Sequence, residues 1–121
     1  MALPINIERL RLLYDFFSEC PPFDKWNMPD SDLINFMVTR SKDTAGFVRK
    51  SNNPKYKYDL AISTVCCGWF NRLAWVMCHE MLHVHQMEAK MESPHTTHNQ
   101  AFMKLGKKIS EIFGFDPHEF C

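Results

Sequence analysis

His79-Glu80-Met81-Leu82-His83 places two imidazoles four residues apart, with a carboxylate directly after the first. On a helix this spacing sets the two rings one turn apart and roughly 40° from each other around the axis. Both can then point at one ion. Imidazole nitrogen suits Zn2+, and a catalytic zinc site commonly has three protein ligands plus an open position. Glu80 stands one step round the helix. It is the residue type that takes a proton from water at such a position and hands it to a leaving nitrogen. The chemistry within reach is metal-assisted hydrolysis. It requires a helix, a third ligand and enough chain to build a cleft.

The third ligand lies outside the motif. Gln86 and Ala89 stand where an extended H-E-x-x-H-x-x-G-x-x-H arrangement needs glycine and histidine, so that arrangement is absent. His85 follows His83 by two residues and points away from it, which suits a partly exposed or supporting histidine. His98 is the first candidate, because it heads a segment with a helical apolar stripe that a reversing chain can bring back to the metal. His95, Glu88, Glu92 and Glu111 are the alternatives. Cys78 adjoins His79, but its side chain points roughly 100° away on a helix.

Stepping outward, the elements that must position these groups are readable from periodicity. Leu73, Val76, Met77, Glu80 and His83 recur at helical intervals, predicting a helix from about Asn71 to Met91 that ends at Ser93-Pro94. Apolar residues cover most sides of its first half, so it is a central helix. Two histidines and a glutamate in that setting are costly to bury without partners, which favours a metal. A last helix is expected from about His98 to Ile112, capped by Thr96 or Thr97 and stopped by Gly114. Residues 6–19 form an amphipathic helix with Asn6 as N-cap and Leu10, Leu13, Tyr14 and Phe17 facing the core. Residues 21–32 read as a loop.

Three strands complete the expected set. Leu33 to Thr39 is the first, and Ala45 to Arg49 the second, with Gly46 permitting a bulge or close backbone approach. Tyr56, Tyr58, Leu60 and Ile62 alternate with Lys57, Asp59, Ala61 and Ser63, predicting a half-buried third strand.

The 121 residues fit one domain, with 115–121 expected as a short flexible tail. Hydrophobic residues at 45% suffice for a core. Fourteen basic residues balance fourteen acidic ones, so no global field draws the chain to nucleic acid. Cys20, Cys66, Cys67, Cys78 and Cys121 form no C-x-x-C pair, and their odd number fits a reducing compartment. The N-terminus lacks signal-peptide features and no run of 18 apolar residues occurs, so a cytoplasmic protein without a membrane span is expected.

Together, His79-Glu80-Met81-Leu82-His83, then His98-Asn99-Gln100-Ala101-Phe102, then Lys104, Lys107, Lys108 and Ile109 resemble the SprT-like zinc metallopeptidases, whose members include the Spartan proteases. Arg40 to Gly46 is similar to the family's segment between its first strands, and Tyr58 to Ser63 to the strand before its active-site helix. The resemblance covers residues 6–112. It implies an α+β, compact zincin-like domain: an N-terminal helix, a roughly three-stranded sheet, a central active-site helix and a C-terminal helix. It also implies zinc held by His79, His83 and His98, with Glu80 as catalytic base. Asn99 departs from the pattern, since glycine often follows the last histidine; the ligand is kept but the turn into the helix is altered. No C-terminal zinc ribbon or DNA-binding tail is present in these residues.

The reading is a zinc-dependent endopeptidase acting on protein or peptide substrates, with a non-catalytic zinc-stabilised binding module as the alternative. Folding around zinc needs the histidines but not Glu80, which favours the enzyme. Arg49, Lys50, Lys55 and Lys57 interleave with Tyr56 and Tyr58, a small basic patch through which DNA could bind, though a solvated hairpin is the plainer reading. Trp69, Phe70 and Trp75 are expected in the core, and Cys66 and Cys67 as packed thiols.

Overall fold

The computed structural model describes residues 4–93 and 98–120. Helix α1 (Ile7–Ser18) begins at Asn6, whose side chain accepts from the Arg9 N–H. It buries Leu10, Tyr14 and Phe17. The loop that follows contains two short 3-10 turns, Phe23–Lys25 and Ser31–Leu33. Strands β1 (Ile34–Thr39), β2 (Gly46–Lys50) and β3 (Tyr58–Ser63) form one sheet in the order β1-β3-β2. β1 runs parallel to β3, and β2 antiparallel to it. Helices α2 (Phe70–Glu88), α3 (Gln100–Phe113) and the single turn α4 (Pro117–Phe120) complete the α+β fold.

Register decides which sheet face is the core. Phe36, Leu60 and Val48 stand opposite one another across the three strands, and Tyr58, Ile62 and Gly46 share their face. The Tyr14 and Phe36 rings pack edge to face with centroids 5.5 Å apart, bringing α1 onto this face. Tyr58 Oη donates to Glu88 at 2.6 Å, bringing α2 onto it as well.

β3 is buried along all six residues rather than on alternate ones. Its central place is the reason. Ala61 stands between Met37 and Phe47, while Asp59 stands between Asn35 and Arg49, so longer neighbours cover the small outward side chains. Asp59 accepts from Asn35 Nδ2 at 3.0 Å and from Arg49 Nε at 2.9 Å, which satisfies its carboxylate.

Helix α2 ends earlier than the Ser-Pro break. Lys90 adopts φ 57°, Lys90 N–H donates to Met87 O at 3.3 Å, and Met91 N–H donates to Gln86 O at 2.8 Å. These paired bonds are a Schellman stop, which satisfies the last carbonyls without a proline. At its other end, Trp69 and Phe70 are 82% and 69% exposed rather than in the core. The first turn of α2 projects past the packed elements, and burial starts only at Ala74. Trp75 is half-buried and carries Arg72 against its ring.

Helix α3 is capped by Asn99, whose side chain accepts from Phe102 N–H. Thr96 and Thr97, the expected caps, lie outside the described residues, as do His95 and Cys121. Gly114 ends α3 at φ 79°, a left-handed conformation that favours glycine. The expected flexible tail is docked: α4 seats Phe120 in the core at 1% exposure, stacked on Phe115. An aromatic ring buried this completely holds a single turn that would not persist alone.

Candidate metal centre

The helical spacing of the motif is realised in α2, and the entry of α3 lies beside it. Ligand atoms of His79, His83 and His98 all lie within 4.8 Å of one another, and they are the only such cluster among the described residues. His83 Nε2 and His98 Nε2 are 3.2 Å apart. Tetrahedral zinc with Zn–N near 2.0–2.1 Å requires about 3.3 Å between ligand nitrogens. The spacing of this pair fits the ion.

His79 is oriented from behind. Its Nδ1 lies 2.6 Å from the Phe120 carbonyl oxygen. A carbonyl only accepts, so Nδ1 carries the proton and Nε2 is left with its lone pair toward the cluster. Such an outer bond fixes both tautomer and ring direction in metal sites. The docked C-terminal turn thereby serves the site, a role no local motif in residues 115–120 announces.

Phe102 forms the floor. It is fully buried. Its ring stacks on His98 at 4.4 Å and on His83 at 4.5 Å, and meets His79 edge-on at 5.0 Å. One side chain limits the motion of all three imidazoles, which explains why phenylalanine follows His98 by four residues.

The electrostatics suit a cation. Burial, opposed by the Phe120 bond and aided by His98, pushes His79 down to about 4. Burial and the two neighbouring imidazoles push His83 down to about 3. Both rings are therefore neutral at pH 7 and have no proton to surrender on binding a metal. Glu80 is 5% exposed, and burial pushes its carboxyl up to about 8. A neighbouring divalent charge acts in the opposite sense and favours the carboxylate.

Glu80 packs directly against Gly46, where a side chain would crowd it. A Cβ on Gly46 would lie 3.1 Å from Glu80 Oε2 and 2.8 Å from the Ala61 carbonyl oxygen. Gly46, expected to allow a close approach, does so against the helix as well as the sheet. The groups open into a cleft of about 330 Å³ whose walls include Phe47, Val48, Met87 and Glu92 beside the histidines and Glu80.

The other candidates are placed elsewhere. His85 stacks on Trp26 with ring centroids 4.1 Å apart. Glu88 accepts from Tyr58 and pairs with Lys57 Nζ at 3.2 Å. Glu92 lines the cleft but lies outside the ligand cluster, and exposed Glu111 sits about three turns along α3. Cys78 and Cys67 are buried, and burial raises both thiols. Cys66 is half-buried, with Sγ 3.4 Å from Ser41 O. Of the basic hairpin residues, Arg49 is paired with Asp59 and Lys57 with Glu88, while Tyr58 is buried. No helix among the described residues is long and apolar enough to cross a membrane.

No protein-family model matches the chain, and no curated protein shows significant similarity to it. What characterises the protein is the site itself: His79-Glu80-x-x-His83 joined by the distant His98 matches a zincin-like HExxH-type metal site, an arrangement consistent with zinc metallopeptidases.

Proposed function

We propose that the protein is a zinc-dependent endopeptidase of the SprT-like kind, with His79, His83 and His98 holding the metal and Glu80 as general base. Zinc, when bound, supplies a Lewis acid that polarises the scissile carbonyl and makes water more acidic. Glu80 accepts a proton from the water that adds to the carbonyl carbon, then delivers it to the amide nitrogen as the C–N bond breaks. The products are a carboxylic acid and an amine. Burial of Glu80 in the cleft walls and its clearance against Gly46 hold the carboxylate beside the site. Phe102 and the Phe120 carbonyl keep the imidazoles aimed.

The observation that carries this reading is a carboxylate that makes no hydrogen bond or ion pair among the described residues, lining one open cleft with a three-histidine cluster. The wall of that cleft supports a peptide as the substrate class. β2 is an edge strand, and Gly46, Phe47 and Val48 line the cleft next to Glu80. An extended peptide can add to such an edge through main-chain hydrogen bonds. The resemblance of the two motifs and their flanks to SprT-like proteases supports the same class.

The test is to measure bound zinc and cleavage of an unfolded protein substrate for wild type, Glu80→Gln and His98→Ala. Glu80→Gln is expected to keep zinc and lose cleavage, and His98→Ala to weaken both. Equal cleavage by wild type and Glu80→Gln would overturn the mechanism. Unchanged zinc affinity in His98→Ala would overturn the ligand assignment. Zinc binding without cleavage by wild type would favour a zinc-stabilised binding module.

A further inference from the structure

Asn99 directly follows His98, and its side-chain amide makes four hydrogen bonds. Oδ1 accepts from Phe102 N–H at 2.9 Å and from Gln86 Nε2 at 3.1 Å. Nδ2 donates to Met91 O at 3.0 Å and to Ser93 Oγ at 2.9 Å. Two acceptor sites and two donors are all that a primary amide offers, so every one is used. The amide's orientation is settled by its backbone partners, because Phe102 N–H can only donate and Met91 O can only accept.

Only the first of these bonds caps α3. It fixes residue 99 relative to α3, but the other two ligands stand on α2. The remaining three bonds run to α2 and the chain leaving it. Gln86 lies three residues after His83, on neighbouring helix surface, and is 2% exposed. Met91 closes the Schellman stop and Ser93 lies two residues beyond it. His98 itself precedes the first residue of α3, so helical hydrogen bonding does not hold it.

We propose that Asn99 is a positioning residue for the metal centre, tying the entry of α3 to the end of α2 so that His98 Nε2 is held at coordination distance from His83 Nε2. This rests on the reading of the three histidines as a zinc site. It also accounts for asparagine where the related pattern often has glycine. Glycine permits the turn, whereas asparagine permits it and locks it to the ligand helix. Gln86, where the extended motif would have glycine, is the partner on the other side of the lock.

Asn99→Asp and Asn99→Gly separate locking from capping. Aspartate caps a helix about as well as asparagine, and glycine is only a few tenths of a kcal/mol worse. Aspartate cannot donate to Met91 O, and glycine makes none of the side-chain bonds. Zinc affinity is measured at pH 7 by competition with a chromogenic chelator, site geometry by the visible absorption of the Co2+ form, and folding of the metal-free proteins by circular dichroism. Each variant is expected to fold, to bind zinc about 10–100-fold more weakly, and to show an altered Co2+ spectrum. Zinc affinity within twofold of wild type in either variant would overturn the proposal, leaving Asn99 a cap. Loss of metal-free folding in both would also overturn it, assigning Asn99 to the fold. Wild type that binds no zinc would overturn the zinc site as well, whereas wild type that binds zinc alongside unchanged variants would overturn this inference alone.

Discussion

Replacing Gly46 by alanine adds one methyl group where strand β2 packs against Glu80 of helix α2. Gly46 does not adopt the left-handed backbone, so the effect is steric. With no obstacle, Gly→Ala stabilises by about 0.4–1 kcal/mol by restricting the unfolded chain. Here the new Cβ would meet the Ala61 carbonyl oxygen at 2.8 Å and Glu80 Oε2 at 3.1 Å. Ala61 belongs to the central strand and cannot yield independently of it. Overpacking of this kind costs about 1–3 kcal/mol. The net expectation is a loss of about 1–2 kcal/mol, or a fall in Tm of about 3–8 °C for a chain of this size. Glu80 is displaced by a fraction of an ångström, while none of the three atoms nearest the added Cβ belongs to a histidine. Misplacement on that scale costs up to about 100-fold in rate. Gly46→Ala should therefore lower kcat/KM by about 10–100-fold with zinc affinity retained. Thermal unfolding, chelator competition and hydrolysis of a quenched fluorescent protein substrate measure the three quantities. A Tm equal to or above wild type, with unchanged kcat/KM, would refute the packing of Gly46 against Glu80.

Two further outcomes are expected. Phe102→Ala removes the ring beneath all three imidazoles and should cost about 3–5 kcal/mol in urea unfolding, whereas Phe102→Leu should retain most of that stability yet weaken zinc binding; equal zinc affinity in Phe102→Leu would remove the floor's role in aiming the ligands. In the metal-free protein Glu80 is raised from its ordinary 4.5 to about 8 by burial, so the folded state holds the proton more tightly and this contribution, full below pH 4.5, is lost as pH rises through 8; His79 and His83, depressed from 6.5 to about 4 and about 3, act oppositely, their contribution being full above pH 6.5 and lost as pH falls toward those values. Glu80→Gln should thus gain stability over wild type progressively between pH 5 and 8, and a pH-independent difference in urea unfolding would contradict the burial of that carboxyl.

Much of the scaffold was legible because its signals are local. Asn6 capping α1, the apolar stripes of α1 and α3, and Gly114 ending α3 follow from preferences acting within one or two turns. Alternation located β3 but misjudged its exposure, since pattern reports the faces of a strand and not whether neighbours flank both its edges. Trp69 and Phe70 misled for a related reason: apolar character does not say whether a helix's first turn overhangs the body it packs on. The Schellman stop at Lys90 went unforeseen because glycine, its usual marker, is missing there.

The sequence by itself determined the chemistry available to this protein. Spacing of four on a helix is a local geometry, so His79, Glu80 and His83 were bound to share one stretch of α2 surface whatever surrounded them. Tertiary structure decided whether that chemistry has a site. The 3.2 Å meeting of His98 with His83, the packing of Phe102 on His79 and His83, the Phe120 carbonyl behind His79, the Gly46 clearance and the Asn99–Gln86 tie are all distances between separate elements of the chain. No periodicity encodes such distances; they are set when close packing of a shared core brings α2, α3, α4 and β2 to one place.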